Sequence, residues 1–394
     1  MPQCRVAATS PEILVDTHAV VRRGQIDSLT GLRAFAALVV VVVHASSVSA
    51  YPWVGLHNYG PIALFVLSGF LLFQPWSRWL LGAKGRPDIS EFARRRIWRI
   101  FPPYLAVLLL VSVLYPPARP GDAASWVRNA TLTHIYVPGD LGRGLFHTWS
   151  LGTELAWYFF LPVLGVGLGW LTLRHRMRVT LTLVGAVGLA AVVTVLWRWA
   201  YFVQVEDPDL RLVMPMWLPA MTLCFLGGAF CGHLAVLSSV NGGRSRLALW
   251  VDRWQPLLIV VAAAAGVLGA SRLGGPWTFA HTTFAESLTR FLSMTFMAIL
   301  LLIGAAFAAP GSLLARLFGN RAMVAVGRWS YGVYLWHMPV MLMLYERMGV
   351  PSGMGGLVLW IALIGTISIG LGAATYRFIE RPAIAYSRRI TRSA

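Results

Sequence analysis

Long apolar runs, broken by short polar segments rich in arginine, dominate the chain. Ten of these runs approach the ~20 residues that a helix needs to cross a bilayer. They lie near residues 32–50, 59–77, 97–115, 151–172, 179–199, 213–236, 255–271, 288–308, 328–346 and 355–376. The pattern predicts an all-α, polytopic membrane protein with about ten transmembrane helices. Residues 1–26 read as a flexible cytoplasmic tail, 27–382 as a single membrane domain and 383–394 as a basic cytoplasmic tail. No internal repeat argues for two transporter halves.

Composition sharpens the class. Hydrophobic residues make up 57% of the chain and charged residues 12%, against about 25% charged in a soluble domain. The formal net charge of +18 does not point to nucleic acid, because the basic residues are scattered between apolar runs instead of gathering on one surface. Their distribution sets an orientation instead. With the N-terminus in the cytoplasm, 25 of the 33 basic residues fall on the cytoplasmic side and 8 outside, so both termini are expected to be cytoplasmic. Arg22 and Arg23 before an apolar run that ends in Val48-Ser49-Ala50 imitate a cleaved leader. The long preceding segment argues against that reading. Cys224 and Cys231, seven apart in an apolar run, read as small core residues, and neither a disulfide framework nor metal-ligand spacing appears.

Ionisable groups inside spans are costly and mark candidate chemistry. Arg33 and His44 are eleven positions apart in the first run, three helical turns plus about 20°, so they share a face roughly 16 Å apart along the axis. Arg33 is expected at the membrane edge and His44 deep in the bilayer, where burial favours the neutral imidazole that a general base requires. Arg96 and Arg99 share a helix face just before Pro102 and Pro103, and guanidinium groups suit phosphate. The proline pair is expected to bend or restart the helix. Glu154 begins the fourth run, placed to orient an imidazole or to bind acceptor hydroxyls, while His147 reads as a loop residue. His337 lies inside the ninth run before Pro339, within reach of backbone carbonyls that the proline frees. Glu380 ends the last run among arginines, as a clasp or as part of a binding site.

Taken in order, these stretches resemble the acyltransferase-3 family of integral membrane O-acyltransferases. The matching pieces are Asp27-Ser28-Leu29-Thr30-Gly31-Leu32-Arg33 with His44, Phe65-Val66-Leu67-Ser68-Gly69-Phe70, and Arg95-Arg96-Ile97-Trp98-Arg99-Ile100-Phe101-Pro102. Trp149-Ser150-Leu151 with Glu154, Ser330-Tyr331 with His337-Met338-Pro339, and Ile379-Glu380-Arg381-Pro382 complete the set. The resemblance implies ten spans, a cell-membrane location and acyl-CoA, most simply acetyl-CoA, as a donor substrate with no permanently bound cofactor or metal. It further implies an acceptor hydroxyl on a glycan, glycolipid or sugar-bearing metabolite of the cell envelope. By it, His44 and Glu154 are the candidate catalytic residues. Arg33, Arg96, Arg99 and Glu380 would hold the donor, and His337, Ser68 and Trp149 would meet the acceptor. Many members have a double acid after Trp-Ser-Leu where this chain has Thr153-Glu154, so the role of Glu154 stays open. Some members fuse an esterase-like extracytoplasmic domain to this unit, and none is expected here. Two alternatives also stay open: a non-enzymatic carrier or flippase of lipid-linked sugars, and an O-acyltransferase for a macrolide-type small molecule. Whether His44 would act as general base or as acyl relay is likewise undecided by the residues.

Overall fold

The computed structural model describes residues 17–393 except 58, 143, 173–174, 243–244 and 278–281, with side chains over residues 27–390. Most of the expected N-terminal tail, residues 1–16, lies outside the described residues. Ten long helices follow one another: α1 Thr17–Ser47, α2 Tyr59–Leu80, α3 Ile89–Leu114, α4 Trp149–Thr172 and α5 Arg176–Val203, then α6 Leu218–Asn241, α7 Arg246–Ala270, α8 Phe284–Phe307, α9 Arg321–Met348 and α10 Gly353–Thr375. A π-turn, Tyr376–Glu380, joins α10 to the amphipathic helix Arg381–Ser393, where the basic tail was expected.

Among the described residues, nine helices are long and apolar enough to cross a membrane. Helix α9 is not one of them, although its 28 residues span the same distance. It packs against α1 and α10 and buries Ser330, Tyr334, Trp336 and His337 against protein, so its polar side chains need not meet lipid. Side chains such as Leu110, Val163, Trp170, Val192, Val260 and Leu359 remain exposed on the outside of the bundle, as expected of a lipid-facing surface. The chain is a multi-pass, all-α membrane protein.

Several helices begin earlier than hydropathy alone foretells, because polar caps and first turns precede the apolar runs. The Asp88 carboxylate accepts hydrogen bonds from the backbone N–H groups of Ser90 at 2.7 Å and Glu91 at 3.1 Å, which starts α3 eight residues before the run at 97. Ser245 caps α7, and Thr283 with Glu286 forms a capping box on α8. The proline pair does not restart the helix: α3 runs through Pro102 and Pro103 to Leu114. A kink does occur in α7, where Trp254 leaves helical geometry (φ −110°, ψ 20°) two residues before Pro256.

Close helix approach shapes the bundle. Where α2 crosses α6, a Cβ on Gly69 would sit 2.0 Å from the Phe225 carbonyl oxygen, and one on Gly228 would sit 2.0 Å from that of Val66. Backbone touches backbone there, as small residues permit inside membranes. His233 ties the same region together: its Nδ1 lies 2.8 Å from Ser77 Oγ and its Nε2 lies 3.0 Å from Thr180 Oγ1. Cys224 and Cys231 are buried, unbridged core residues of α6, as their spacing foretold.

Candidate active site

Three arginines converge on one cavity inside the bundle. A space of about 180 Å³ is lined by Arg33 of α1, Arg96 and Arg99 of α3, Ser68 of α2, and Glu154 of α4. Tyr331 and Tyr334 of α9 complete the wall. Arg33 therefore faces an interior cavity together with Ala37, one turn further along the same stripe, and is not confined to the membrane edge. Arg96 lies between aromatic faces, 5.7 Å from the Phe92 ring and 5.8 Å from that of Tyr158, which orients its fork without consuming its hydrogen-bonding capacity. Its Nε has no hydrogen-bond partner among the described residues.

Glu154 joins this cavity and not the imidazoles. Its Oε1 accepts a hydrogen bond of 2.8 Å from Ser68 Oγ, and both residues face the arginines. The expectation that Glu154 orients a histidine is replaced by a carboxylate set among cations. Ser68, expected beside the acceptor, is its hydroxyl partner. Glu380 is 3% exposed and sits 4.0 Å from Arg99 Nε, so it steadies the arginine at the rear of the cavity. The π-turn accounts for its inward aim. Burial along α10 falls on Ser368, Gly372 and Thr375 and then, five residues on, on Glu380, the step a wider turn makes.

Arg96 and Arg99 also line a second, outward-opening cleft of about 610 Å³, shared with Arg95, Ser387 and Arg388. The helix Arg381–Ser393 thus supplies one wall of a basic vestibule in front of the cavity, and the amphipathic C-terminal segment has a defined place in the site.

The imidazoles form a separate cluster beyond Tyr334. His44 Nδ1 lies 3.0 Å from the Val40 carbonyl oxygen and 3.1 Å from His337 Nε2. His337 Nδ1 lies 2.5 Å from the Tyr334 carbonyl oxygen, one residue before the carbonyl that Pro339 frees. Carbonyls only accept, so His337 carries its proton on Nδ1 and presents a lone pair at Nε2. That lone pair accepts from His44 Nδ1–H, which also points at Val40. The lone pair of neutral His44 is therefore on Nε2, the tautomer that a base toward a hydroxyl requires.

A third histidine completes the cluster. His147, expected in a loop, is 2% exposed, and its ring centroid is 4.7 Å from that of His337 and 4.9 Å from that of Tyr334. The Tyr334 hydroxyl donates to the His147 carbonyl and lies 2.8 Å from Ser150 Oγ. Neither His147 ring nitrogen has a hydrogen-bond partner among the described residues. Its neighbour Trp149, expected to meet the acceptor, lines a different cleft on the opposite face of the bundle. Of the expected residues, Arg33, Arg96, Arg99, Ser68 and Glu154 meet in one cavity, with Glu380 behind Arg99. His44 and His337 meet in a second cluster, and Tyr334 stands between the two. Among the described residues, no group of histidine, cysteine or carboxylate side chains is arranged to hold a metal ion.

The helical membrane bundle thus sets an arginine cavity and a tautomer-fixed imidazole along one helix. The acyltransferase-3 family model, described as an acyltransferase domain, matches residues 26–377, and the chain belongs to that family. Similar curated proteins include the peptidoglycan O-acetyltransferase OatA of Listeria monocytogenes, 25% identical over 91% of this chain and 56% of its own length. The acyltransferase MdmB of Streptomyces mycarofaciens is 28% identical over 84% of this chain and 82% of its own. The O-acetyltransferase OatA of Staphylococcus aureus is 22% identical over 90% of this chain and 56% of its own. The chain thus spans little more than half the length of the two OatA relatives. No solved structure matches.

Proposed function

We propose that the chain transfers an acyl group, in the simplest case acetyl, from acyl-CoA to a hydroxyl of a glycan, glycolipid or sugar-bearing metabolite at the cell membrane. The observation that carries this reading is the alignment along α1 of the arginine cavity at Arg33 with His44, whose Nε2 holds the lone pair. The arginine-rich face is cytoplasmic in this reading, in keeping with the charge asymmetry of the sequence, and both termini lie on that side. The phosphates of the donor occupy the vestibule of Arg95, Arg96, Arg99 and Arg388, and the pantetheine arm enters the cavity beside Arg33, Ser68 and Glu154. His44 Nε2 takes the proton of the acceptor hydroxyl as its oxygen attacks the thioester carbonyl. The new C–O bond forms, the C–S bond breaks, and the leaving thiolate takes up a proton to become CoA thiol. If His44 instead accepts the acyl group first, an acyl-imidazole forms with release of CoA thiol, and the acceptor oxygen then displaces the imidazole.

The test uses cells making the full chain or its His44→Ala variant at matched membrane levels, with mass spectrometry of envelope glycans, lipids and secreted metabolites. A species that gains an acyl mass only with the unaltered protein supports the proposal and names the acceptor. An intact lipid-linked sugar that changes sides or abundance without gaining mass would overturn it in favour of a carrier.

A further inference from the structure

On the face opposite the arginine vestibule, a cleft of about 510 Å³ opens between the start of α4, the end of α5 and the start of α8. Its lining includes Arg198, Tyr201, Ser287, Phe291, Trp149 and Arg211. Arg198 is 4% exposed, and its guanidinium lies in a setting of neutral groups. Its Nη1 donates to Tyr201 Oη and to Ser287 Oγ, each at 3.1 Å, and its Nη2 donates to the Ala220 carbonyl at 3.4 Å. The Phe291 ring lies 4.0 Å beneath it. Its Nε has no hydrogen-bond partner among the described residues.

No carboxylate forms an ion pair with Arg198 among the described residues. Glu206, which also lines the cleft, stands exposed. The contrast with Arg128 is instructive: it lies at a surface, yet it is paired with Asp140 and Asp122. A buried cation held by hydroxyls and a ring, with no counter-charge, is costly unless something supplies one. Here the cation lines an open cleft, so the missing charge can come from a ligand. Arg211 stands on the same cleft, fixed by two hydrogen bonds to the Val205 carbonyl at 3.1 and 2.5 Å.

The cleft also backs onto the imidazole cluster. Phe146 and Trp149 line it, and one of the two residues between them, His147, packs its ring on His337. We propose that this cleft binds the acceptor through an anionic group, a carboxylate or a phosphate. In this arrangement Arg198 and Arg211 clamp the oxyanion, the aromatic side chain of Trp149 receives a sugar face, and a hydroxyl is presented toward His44. The identity of the occupant as an acceptor rests on the proposed acyl transfer; the anion selectivity of the cleft does not.

The experiment measures binding to the purified full chain in lipid nanodiscs, by calorimetry and without acyl-CoA. The probes are methyl glucuronide, glucose 1-phosphate and methyl glucoside, which share a ring and differ in charge. The expected result is that at least one anionic probe binds about tenfold tighter than the neutral one, the discrimination that one charge-assisted fork supplies. Arg198→Gln is expected to cut that preference sharply, with Arg211 alone supplying what remains, and to affect the neutral glucoside far less. Whether carboxylate or phosphate wins distinguishes an acidic sugar from a phosphorylated carrier. Arg198→Lys, which keeps the charge, guards against a folding defect and is expected to retain part of the preference. Equal binding of all three probes, no binding of either anion at millimolar concentration, or an anion preference undiminished by Arg198→Gln would each overturn the proposal. If an anion-selective cleft appears in a protein that transfers no acyl group, the transfer reading fails and the cleft stands. If acyl transfer occurs with no anion preference, the cleft proposal fails and the transfer reading stands.

Discussion

Replacing His337 should separate orientation from chemistry at His44. His337 Nε2 accepts the His44 Nδ1–H at 3.1 Å, and the Val40 carbonyl lies 3.0 Å from the same nitrogen. Either acceptor alone favours the productive tautomer. Removing one costs a net hydrogen bond of about 0.5–1.5 kcal/mol, which converts to about a two- to thirteenfold fall in kcat. Removing His44 itself removes the base, a loss of about 10²–10⁴-fold or about 3–5 kcal/mol. The double variant should be no slower than His44→Ala alone, because His337 has nothing left to orient. His337→Gln, whose Oε1 stands near the former Nε2, should recover most of the His337→Ala loss. The assay is transfer of labelled acetyl from acetyl-CoA in proteoliposomes, at saturating donor and matched folded protein, with melting in detergent as a control for the buried His337 site. The donor KM should not move. If His337→Ala is as damaging as His44→Ala, or if the two losses multiply, then His337 itself handles the proton or the acyl group and the tautomer assignment fails.

Further outcomes follow from other parts of the fold. Arg99→Gln should raise the KM for acetyl-CoA about tenfold or more and flatten its salt dependence, since the variant loses a phosphate-facing cation and leaves Glu380 buried at the position where Arg99 Nε stood 4.0 Å away; steady-state kinetics at two ionic strengths read both. Gly228→Val should lower the melting temperature in detergent, because the first added carbon already lies 2.0 Å from the Val66 carbonyl oxygen and overpacking typically costs about 1–3 kcal/mol. In the segment between α3 and α4, burial pushes the Asp140 carboxyl up, but hydrogen bonds from Arg128 and Ser125 outweigh it and hold the group below its ordinary range. A depressed carboxyl stabilises above its unfolded pKa and loses that contribution as pH falls through the folded value. The protection factors of residues 116–148, taken against the intrinsic exchange rate at each pH, should therefore fall on acidification in the unaltered protein and much less so in Asp140→Asn. His147→Ala should lower kcat without moving the donor KM, which the same transfer assay reads, because its ring touches His337 and not the arginine cavity.

The helices were legible because each needs only a long apolar run, and the bilayer makes that signal strong. Their starts were less so: the first turns of α3 and α7 carry Glu91, Arg94, Arg95 and Arg246, which hydropathy assigns to loops, although Asp88 and Ser245 were available as cap signals. The grouping of Arg33 with Arg96 and Arg99 was implied by the family resemblance and not by spacing, and the cavity unites them. The companion of Glu154 was not, since a carboxylate between an imidazole and three guanidiniums is assigned by the crossing of α2 and α4, which no local pattern encodes. His147 was hidden for a similar reason. Its neighbours Gly142 and Gly144 announce a loop, and only the donation from the Tyr334 hydroxyl to its backbone carbonyl shows that the loop tip is drawn into the bundle. Arg198 entered the sequence reading only as one basic residue among the eight on the outer side; its burial depends on Ser287 and Phe291, nearly ninety residues away.

Tyr334 sets the remaining constraint on how the two halves of the site cooperate. It lines the arginine cavity, its carbonyl fixes His337, and its hydroxyl fixes the His147 backbone and meets Ser150. Ala37, the cavity residue nearest to His44 along α1, lies seven positions before it, about 10 Å along the axis. The arginine cavity and the imidazole are thus aligned but separated by one aromatic ring. A ring whose backbone carbonyl holds His337 and whose hydroxyl is tied to the α4 entrance can move aside only if the hydroxyl's contacts are exchanged. Freeing the hydroxyl means giving up its contacts with the His147 carbonyl and with Ser150, two neutral hydrogen bonds worth about 1–3 kcal/mol together. Opening on that side would join the cavity to the imidazole cluster while leaving the Tyr334 carbonyl, and with it the His337 and His44 tautomers, undisturbed.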